Sequence, residues 1–326
     1  MPRLRVIHES WPSAGSFRIS RGAKTSAEVV VVELEQDGVK GRGEGVPYSR
    51  YEESIPQVMA ALEGARERIE RGCARKDVPD LVTPRAARNA LDCALWDLEA
   101  KLTGTPVWRL AGLAPPEPLV TAYTLVLDTP ENMGMAARQA SARPLLKLKL
   151  GGEGDEKRLR LVRDAAPQCR LIVDANEGWT AEMLPRLLAV CAEASVELVE
   201  QPLPAGQDEA LRGLDRAVSI CADESVHDRD GLEALLGKYD AINIKLDKAG
   251  GLTAALDLAR EARRQGFTIM TGCMLSTSLA MAPAMLVAQL GSLTDLDGPL
   301  LLVKDRVPGI IYSGSRMEPP PRELWG

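Results

Sequence analysis

From residue 119 onward the chain repeats one grammar. A short run of β-branched and aliphatic residues gives way to a stretch with amphipathic helical spacing, and the pair recurs about every 22–26 residues, the pitch of a βα unit in a parallel barrel. The runs cover 119–127, 145–150, 170–174, 196–200, 218–222, 241–245, 267–271 and 292–295. Eight runs suit a closed barrel. No long helical pattern follows the eighth, and the tail beyond residue 300 is charged and rich in proline. The expected fold is therefore α/β: a modified TIM barrel, (β/α)7β.

Upstream the pattern differs. Residues 29–34 form a β-branched run, Gln36-Asp37-Gly38 supplies a hairpin turn, and Val-Lys-Gly-Arg-Gly-Glu-Gly continues extended, which predicts an antiparallel meander. Helical spacing follows over 51–71 and 83–102. Strands followed by helices make an α+β capping domain. The Leu113-Ala-Pro-Pro-Glu-Pro118 cluster breaks the periodicity. This divides the chain into a cap over 1–114, a barrel over 115–304 and a tail over 305–326 that returns to the cap. Gly41-x-Gly43-x-Gly45 lacks the spacing and the following helix of a dinucleotide fingerprint and reads as a meander strand.

Composition narrows the chemistry. With 40 Lys and Arg against 46 Asp and Glu, a net charge of -6 and no long cationic run, nucleic acid is a poor partner. The most apolar segment, 279–290, is too short and too interrupted by proline to span a bilayer. The N-terminal residues lack the apolar stretch of a signal peptide, so the expectation is a cytosolic protein. The six cysteines lie far apart with no Cys-x-x-Cys pair, unlike a zinc ribbon or dithiol site. There are only two histidines, so acid/base chemistry falls to lysines and carboxylates.

Nearly every barrel run ends in ionisable or amide residues: Lys147 and Lys149, Asp174 and Asn176, Glu200 and Gln201, Asp223 and Glu224, Lys245 and Asp247, Asp295 and Asp297. Side chains alternate along a strand, and the outer face must be apolar beneath covering helices. In Leu-Leu-Lys-Leu-Lys-Leu this sends Lys147 and Lys149 inward, and the same parity turns Asn243, Lys245 and Asp247 inward. Charge at the C-terminal mouth of such a barrel reads as catalytic. Taken singly, Asp174, Glu200 and Asp223 could each cap a helix, but Glu is a poor cap. Three successive strands each delivering a carboxylate make an all-oxygen site suited to Mg²⁺ rather than Zn²⁺. Lys149 and Lys245 fall on opposite sides of it. A metal-bound substrate carboxylate acidifies its α-proton by stabilising the enediolate, so one lysine can remove the proton and the other return it from the opposite face, giving the epimer. Each base needs its pKa brought from about 10.4 towards 7–8, and Lys147 with the metal supplies the like charge.

Lys147-Leu-Lys149, Asp174-Ala-Asn176, Glu200-Gln-Pro202, Ala222-Asp-Glu-Ser225 and Ile242-Asn-Ile-Lys245 followed by Lys248-Ala-Gly-Gly251 closely resemble the enolase superfamily, muconate-lactonising subgroup. The resemblance runs over essentially the whole chain. It implies Asp174, Glu200 and Asp223 on one Mg²⁺, Lys149 and Lys245 as bases, and Lys147 and Asn176 in support. Thr294-Asp-Leu-Asp-Gly298 resembles the element with which dipeptide epimerases hold a free α-ammonium, implying Asp295, Asp297 and Thr124 as substrate-binding residues. Gly272-Cys-Met274 and the 17–24 stretch look most like the L-Ala-D/L-Glu epimerase group of murein peptide recycling, where a basic residue of the first cap loop meets the Glu γ-carboxylate; Arg21 and Lys24 are both candidates. The implied partner is a small dipeptide, and a homo-oligomer is left open. The alternatives are a dipeptide epimerase of other side-chain specificity, an o-succinylbenzoate synthase or an N-acylamino acid racemase on the same scaffold.

Overall fold

In the computed structural model, which describes residues 1–326, β1 (Arg3–Ile19), β2 (Gly22–Gln36) and β3 (Val39–Gly45) form an antiparallel sheet in chain order. Asp37 and Gly38, with φ of 53° and 76°, make the paired positive turn that matches strand twist. Strand β2 is buried on both faces because each packs on a different core: Val30, Val32 and Leu34 face the cap's own core, while Val29 and Val31 join the larger core shared with the barrel.

Helices α1 (Ile55–Gly64), α2 (Arg66–Glu70), α3 (Val78–Leu81), α4 (Arg85–Thr103) and α5 (Val107–Leu110) complete this region. The helix expected over 51–71 is in fact two. Residues Ser49–Tyr51 form a separate 3-10 turn, and α1 cannot start before Ser54 because Pro56 is tolerated only in a first turn. Helix α4 lies directly on β3. A methyl group at Gly41, Gly43 or Gly45 would collide with backbone atoms of Ala94, Ala90 or Ala86 respectively, so the Gly-x-Gly-x-Gly run is a seat for a helix.

The 119–127 run divides into β4 (Leu119–Val120) and β5 (Tyr123–Leu125). Strand β5 opens an eight-stranded sheet that continues in chain order through β6 (Leu145–Lys149), β7 (Arg170–Asp174), β8 (Val196–Glu200), β9 (Ser219–Ala222), β10 (Ala241–Ile244), β11 (Thr268–Gly272) and β12 (Leu293–Asp295). All neighbours are parallel, and a parallel bridge between Thr121 and Thr294 draws the first and last strands together. Strand β4 turns away to pair with the tail hairpin β13 (Tyr312–Ser313) and β14 (Arg316–Met317).

Covering helices are α6 (Pro130–Gln139), α7 (Asp155–Ala165), α8 (Leu184–Glu193), the single turn α9 (Leu246–Ala249), α10 (Leu252–Arg264) and α11 (Ser278–Ala288). The regular strand-helix alternation lapses after β8 and β9, where only 3-10 turns at Glu209–Leu211 and Arg229–Leu235 occur. Pro202 and Pro204 remove backbone donors there, and Gly206, Gly213 and Gly237 take positive φ. No helix is long and apolar enough to cross a membrane, and all six cysteines are unpaired.

One buried layer positions everything above it. Ala122, Leu145, Ile172, Leu198, Cys221, Ala241, Met270 and Leu293, one from each turn of the barrel wall, plug its interior. Side chains alternate, so two residues further along Lys147, Asp174, Glu200, Asp223, Asn243 and Asp295 face the mouth. Asp247 departs from the parity argument. It lies on α9, past the end of β10, and its carboxylate accepts from the Val46 backbone N and Asn89 Nδ2 at 2.8 Å each. Alternation ends with the strand, and Asp247 ties the barrel to β3 and α4 instead of facing the cavity. A second tie is Glu44 of β3, which accepts from Thr277 N at 2.9 Å and Arg306 Nη2 at 2.7 Å. The tail contacts α4 as well: Trp325 Nε1 donates to Cys93 O at 3.0 Å and Gly326 N to Asp97 Oδ1 at 2.7 Å.

Candidate active site

The mouth of the barrel opens into a cavity of about 430 Å³ beneath the β1–β2 hairpin, lined by Phe17, Lys24, Tyr48, Lys149, Asp223 and Lys245 among others. At its floor, oxygens of Asp174, Glu200 and Asp223 lie within 4.8 Å of one another. All three carboxylates are buried. Such a group survives burial only against positive charge, and lysines supply it. Lys149 Nζ is 2.6 Å from Asp174 Oδ2, Lys147 Nζ is 2.6 Å from Glu200 Oε2 and 3.3 Å from Asp174 Oδ2, and Lys245 Nζ is 2.7 Å from Asp223 Oδ2. Strands β6 and β10 stand four places apart in the sheet, so Lys149 and Lys245 approach the cavity from opposite walls.

The electrostatics of the carboxylates diverge. Burial opposes ionisation of Asp174, yet Lys149 and Lys147 outweigh it and hold the carboxyl below its usual range. Burial likewise opposes Asp223, and Lys245 and Lys248 reverse the balance. Burial and the Asp174 charge instead push Glu200 up to about 7. Its Oε2 is buried with no aligned hydrogen-bond donor. A crowded set of hard oxygen donors with one undersatisfied atom fits a divalent cation such as Mg²⁺. The lysine expectation needs a correction of sign for the protein alone. Burial lowers the Lys245 pKa, but Asp223 and then Glu200 raise it further, so the ammonium stands well above its ordinary value. Charge on the neighbouring carboxylates dominates, and only its neutralisation lets the like charge of Lys147 tell.

Asp295 and Asp297 border a recess of about 20 Å³ with Phe17, Thr124 and Lys149, room for about one ammonium-sized group. Asp295 Oδ2 is 2.6 Å from Lys147 Nζ, while its Oδ1 is buried without a partner. Asp297 Oδ2 accepts from the Thr124 backbone N at 2.7 Å, and burial with the Asp295 charge pushes its carboxyl up to about 7. Asn176 lines the larger cavity with its Oδ1 unpartnered.

The two cap-loop candidates separate clearly. Arg21 is consumed internally: Glu224 Oε1 at 2.6 Å, Glu177 Oε2 at 2.9 Å, Asn176 O at 2.8 Å and Tyr48 Oη at 3.0 Å take its guanidinium. Lys24 lines the same cavity with its Nζ 5.1 Å from the Tyr48 ring centroid; desolvation lowers its pKa and the Glu28 charge opposes that shift. Glu224, which clamps Arg21, and Lys248, which grips Asp223, stand in the sequence motifs without a role expected of either. The Lys245-x-x-Lys248 spacing was the available signal, since one helical turn after a strand end returns the second side chain to the same side.

The comparisons agree with this geometry. Residues 1–112 match the mandelate racemase / muconate lactonizing enzyme N-terminal domain, and residues 133–303 match the enolase C-terminal domain-like model. The chain is 46% identical over 316 residues to an L-Ala-D/L-Glu epimerase of Escherichia coli, covering 96% of this chain and 98% of that one. It is 41% identical to an N-acetyl-D-glutamate racemase of a Pseudoalteromonas species, covering 91% and 95%. An enolase family member from Agrobacterium tumefaciens with homology to dipeptide epimerases, solved with sodium and L-Ala-L-Glu, is 51% identical with a TM-score of 0.98 over 100% of both chains. Dipeptide epimerases of this fold have also been solved with Mg and a dipeptide. On sequence and structure together, the chain belongs to the mandelate racemase / muconate lactonising family of the enolase superfamily.

Proposed function

We propose that the protein is a Mg²⁺-dependent dipeptide epimerase that interconverts L-Ala-L-Glu and L-Ala-D-Glu. The observation that carries this reading is the pair Lys149 and Lys245, set on opposite walls of one cavity with three carboxylates between them. Asp174, Glu200 and Asp223 would hold the cation. When bound, it supplies positive charge to the substrate carboxylate, making the adjacent α-hydrogen removable. Lys149 and Lys245 then take the proton from one face of the Glu α-carbon and deliver one to the other. The recess bounded by Asp295 and Asp297 receives the free α-ammonium, and Lys24 meets the γ-carboxylate, since Arg21 is already committed to Glu224 and Glu177.

A second reading, N-acyl-glutamate racemisation, has the Pseudoalteromonas relative in its favour. Two acidic residues at the small recess argue against it, because an acylated nitrogen carries no charge to pair with them. The chain would comprise a cap over 1–114, a catalytic barrel over 115–304 and a tail over 305–326. Its place would be murein peptide recycling in the cytoplasm, where six unpaired cysteines are stable. The deciding experiment is deuterium uptake from D₂O at the Glu α-carbon of L-Ala-L-Glu, followed by NMR with Mg²⁺ and with chelator. Metal-dependent exchange accompanied by the D epimer is expected, and absence of exchange on every dipeptide refutes the reading.

A further inference from the structure

The three clustered carboxylates divide their oxygens in the same way. One oxygen of each is committed to a fixed donor: Asp174 Oδ1 accepts from the Asn176 backbone N at 2.9 Å, Glu200 Oε1 from Asn243 Nδ2 at 2.7 Å, and Asp223 Oδ1 from Lys248 Nζ. The other oxygen of each faces a lysine of the mouth. Lys248 is the exception among the fixed donors, being a full positive charge where the other two are neutral amides. It is 1% exposed. All three of its hydrogens are used, on Asp223 Oδ1, Asp223 O and Asn243 O. It rides on α9, a turn whose next-door Asp247 is bonded into the cap, so it has little freedom to swing.

We propose that Lys248 is a positioning residue that keeps Asp223 a one-oxygen ligand and so tunes the site towards Mg²⁺ and away from Ca²⁺. The inference rests on the metal reading above. Mg²⁺ demands near-octahedral geometry at about 2.0–2.1 Å, whereas Ca²⁺ takes six to eight oxygens at about 2.3–2.6 Å and readily accepts both oxygens of a carboxylate. An Asp whose second oxygen is held by a buried ammonium cannot offer both. Asp174 and Glu200 are locked by neutral donors, so Asp223 is the one ligand whose release also adds a net negative charge. The freed oxygen favours the larger ion, while the added charge strengthens binding of either dication.

The test is calorimetric titration of metal-stripped protein with Mg²⁺ and, separately, Ca²⁺, for the wild type, Lys248→Met and Lys248→Gln. The ratio of Ca²⁺ to Mg²⁺ association constants is expected to rise by about tenfold or more in both variants, the scale of changes around metal ligands. Mg²⁺-supported kcat should fall more than KM rises. A partly misfolded sample lowers the stoichiometry but leaves this ratio unmoved, so a ratio within twofold of wild type overturns the proposal. Should neither variant fold, a crystal structure of the Ca²⁺-loaded wild type decides: Asp223 giving one oxygen supports the proposal, and Asp223 giving both overturns it. A wild type that binds no Mg²⁺ at all removes the epimerase reading, and this proposal with it.

Discussion

The strand ends and the β1–β2 hairpin present charge to the same cavity, and they hold it by opposite means. At the strand ends Lys147, Lys149 and Lys245 are 1%, 7% and 6% exposed, and each is opposed by a carboxylate within 2.7 Å. On the hairpin, the Arg21 side chain is 26% exposed although its partners Glu177 and Glu224 are 8% and 1% exposed, and Lys24 is exposed with Glu28 as its charged neighbour. A buried charge stripped of its partner costs several kcal/mol, whereas a hydrated one is replaced at a cost of about 1 kcal/mol or less. In the proposed reaction the chemistry therefore sits where substitution is punished, and the selection of the side chain sits where it is cheap to revise.

That contrast is broken most severely at the bases. Lys149→Ala and Lys245→Ala should each cut net epimerisation by about 10³-fold or more, read by chiral chromatography of L-Ala-L-Glu and L-Ala-D-Glu. Each variant should still exchange deuterium into the one epimer whose hydrogen faces the surviving lysine. Near-native interconversion in either would disprove a two-base mechanism.

At the recess the loss should be smaller and conditional. Asp297→Asn is expected to lower kcat/KM for free dipeptides about 10²-fold while changing N-acetylated analogues by less than about threefold, measured side by side. The pH profile checks the same residue without mutation. A carboxyl raised to about 7 is neutral below that pH and cannot pair with an ammonium. Hence kcat/KM for the free dipeptide should fall about tenfold from pH 8 to pH 6 beyond any fall seen for the acylated analogue. An identical profile for both substrates would remove Asp297 from ammonium binding.

The mildest effect belongs to the hairpin. Lys24→Met should weaken kcat/KM for L-Ala-L-Glu up to about fivefold, the value of one partly hydrated ion pair, and leave L-Ala-L-Leu unchanged or improved. Equal losses on both substrates would place Lys24 in the scaffold rather than in recognition.

Much of this arrangement is legible from the alternation of Leu and Lys in β6 and of Ile and Asn in β10, because a strand covered by helices leaves its polar side chains one way to point. Legibility stops where the strand stops. Asp247 keeps the parity of Lys245 but lies on a helical turn, where a period of two no longer applies, and it serves the cap. The 119–127 run reads as one strand since nothing local announces that β4 will pair with a tail nearly two hundred residues away. The helix absent after β8 is foreshadowed by Pro202, Pro204 and Gly206, whereas after β9 only Gly237 of the connection takes positive φ. The split between Arg21 and Lys24 depends on Glu224 and Glu177, partners brought in from other strands, and no local pattern reports such distant neighbours.

The glycine seat of α4 on β3 has a mechanical consequence. A strand without side chains on one face and with Glu44 gripping the barrel from the other leaves no room between helix and sheet for even a methyl group. Because β2 is zipped to β3 and runs on into the hairpin that carries Arg21 and Lys24, the height of that hairpin above the mouth is set far from the substrate. A single methyl wedged in at Gly43 would act as a shim under a lever, raising the hairpin while leaving every residue proposed to touch the dipeptide unaltered.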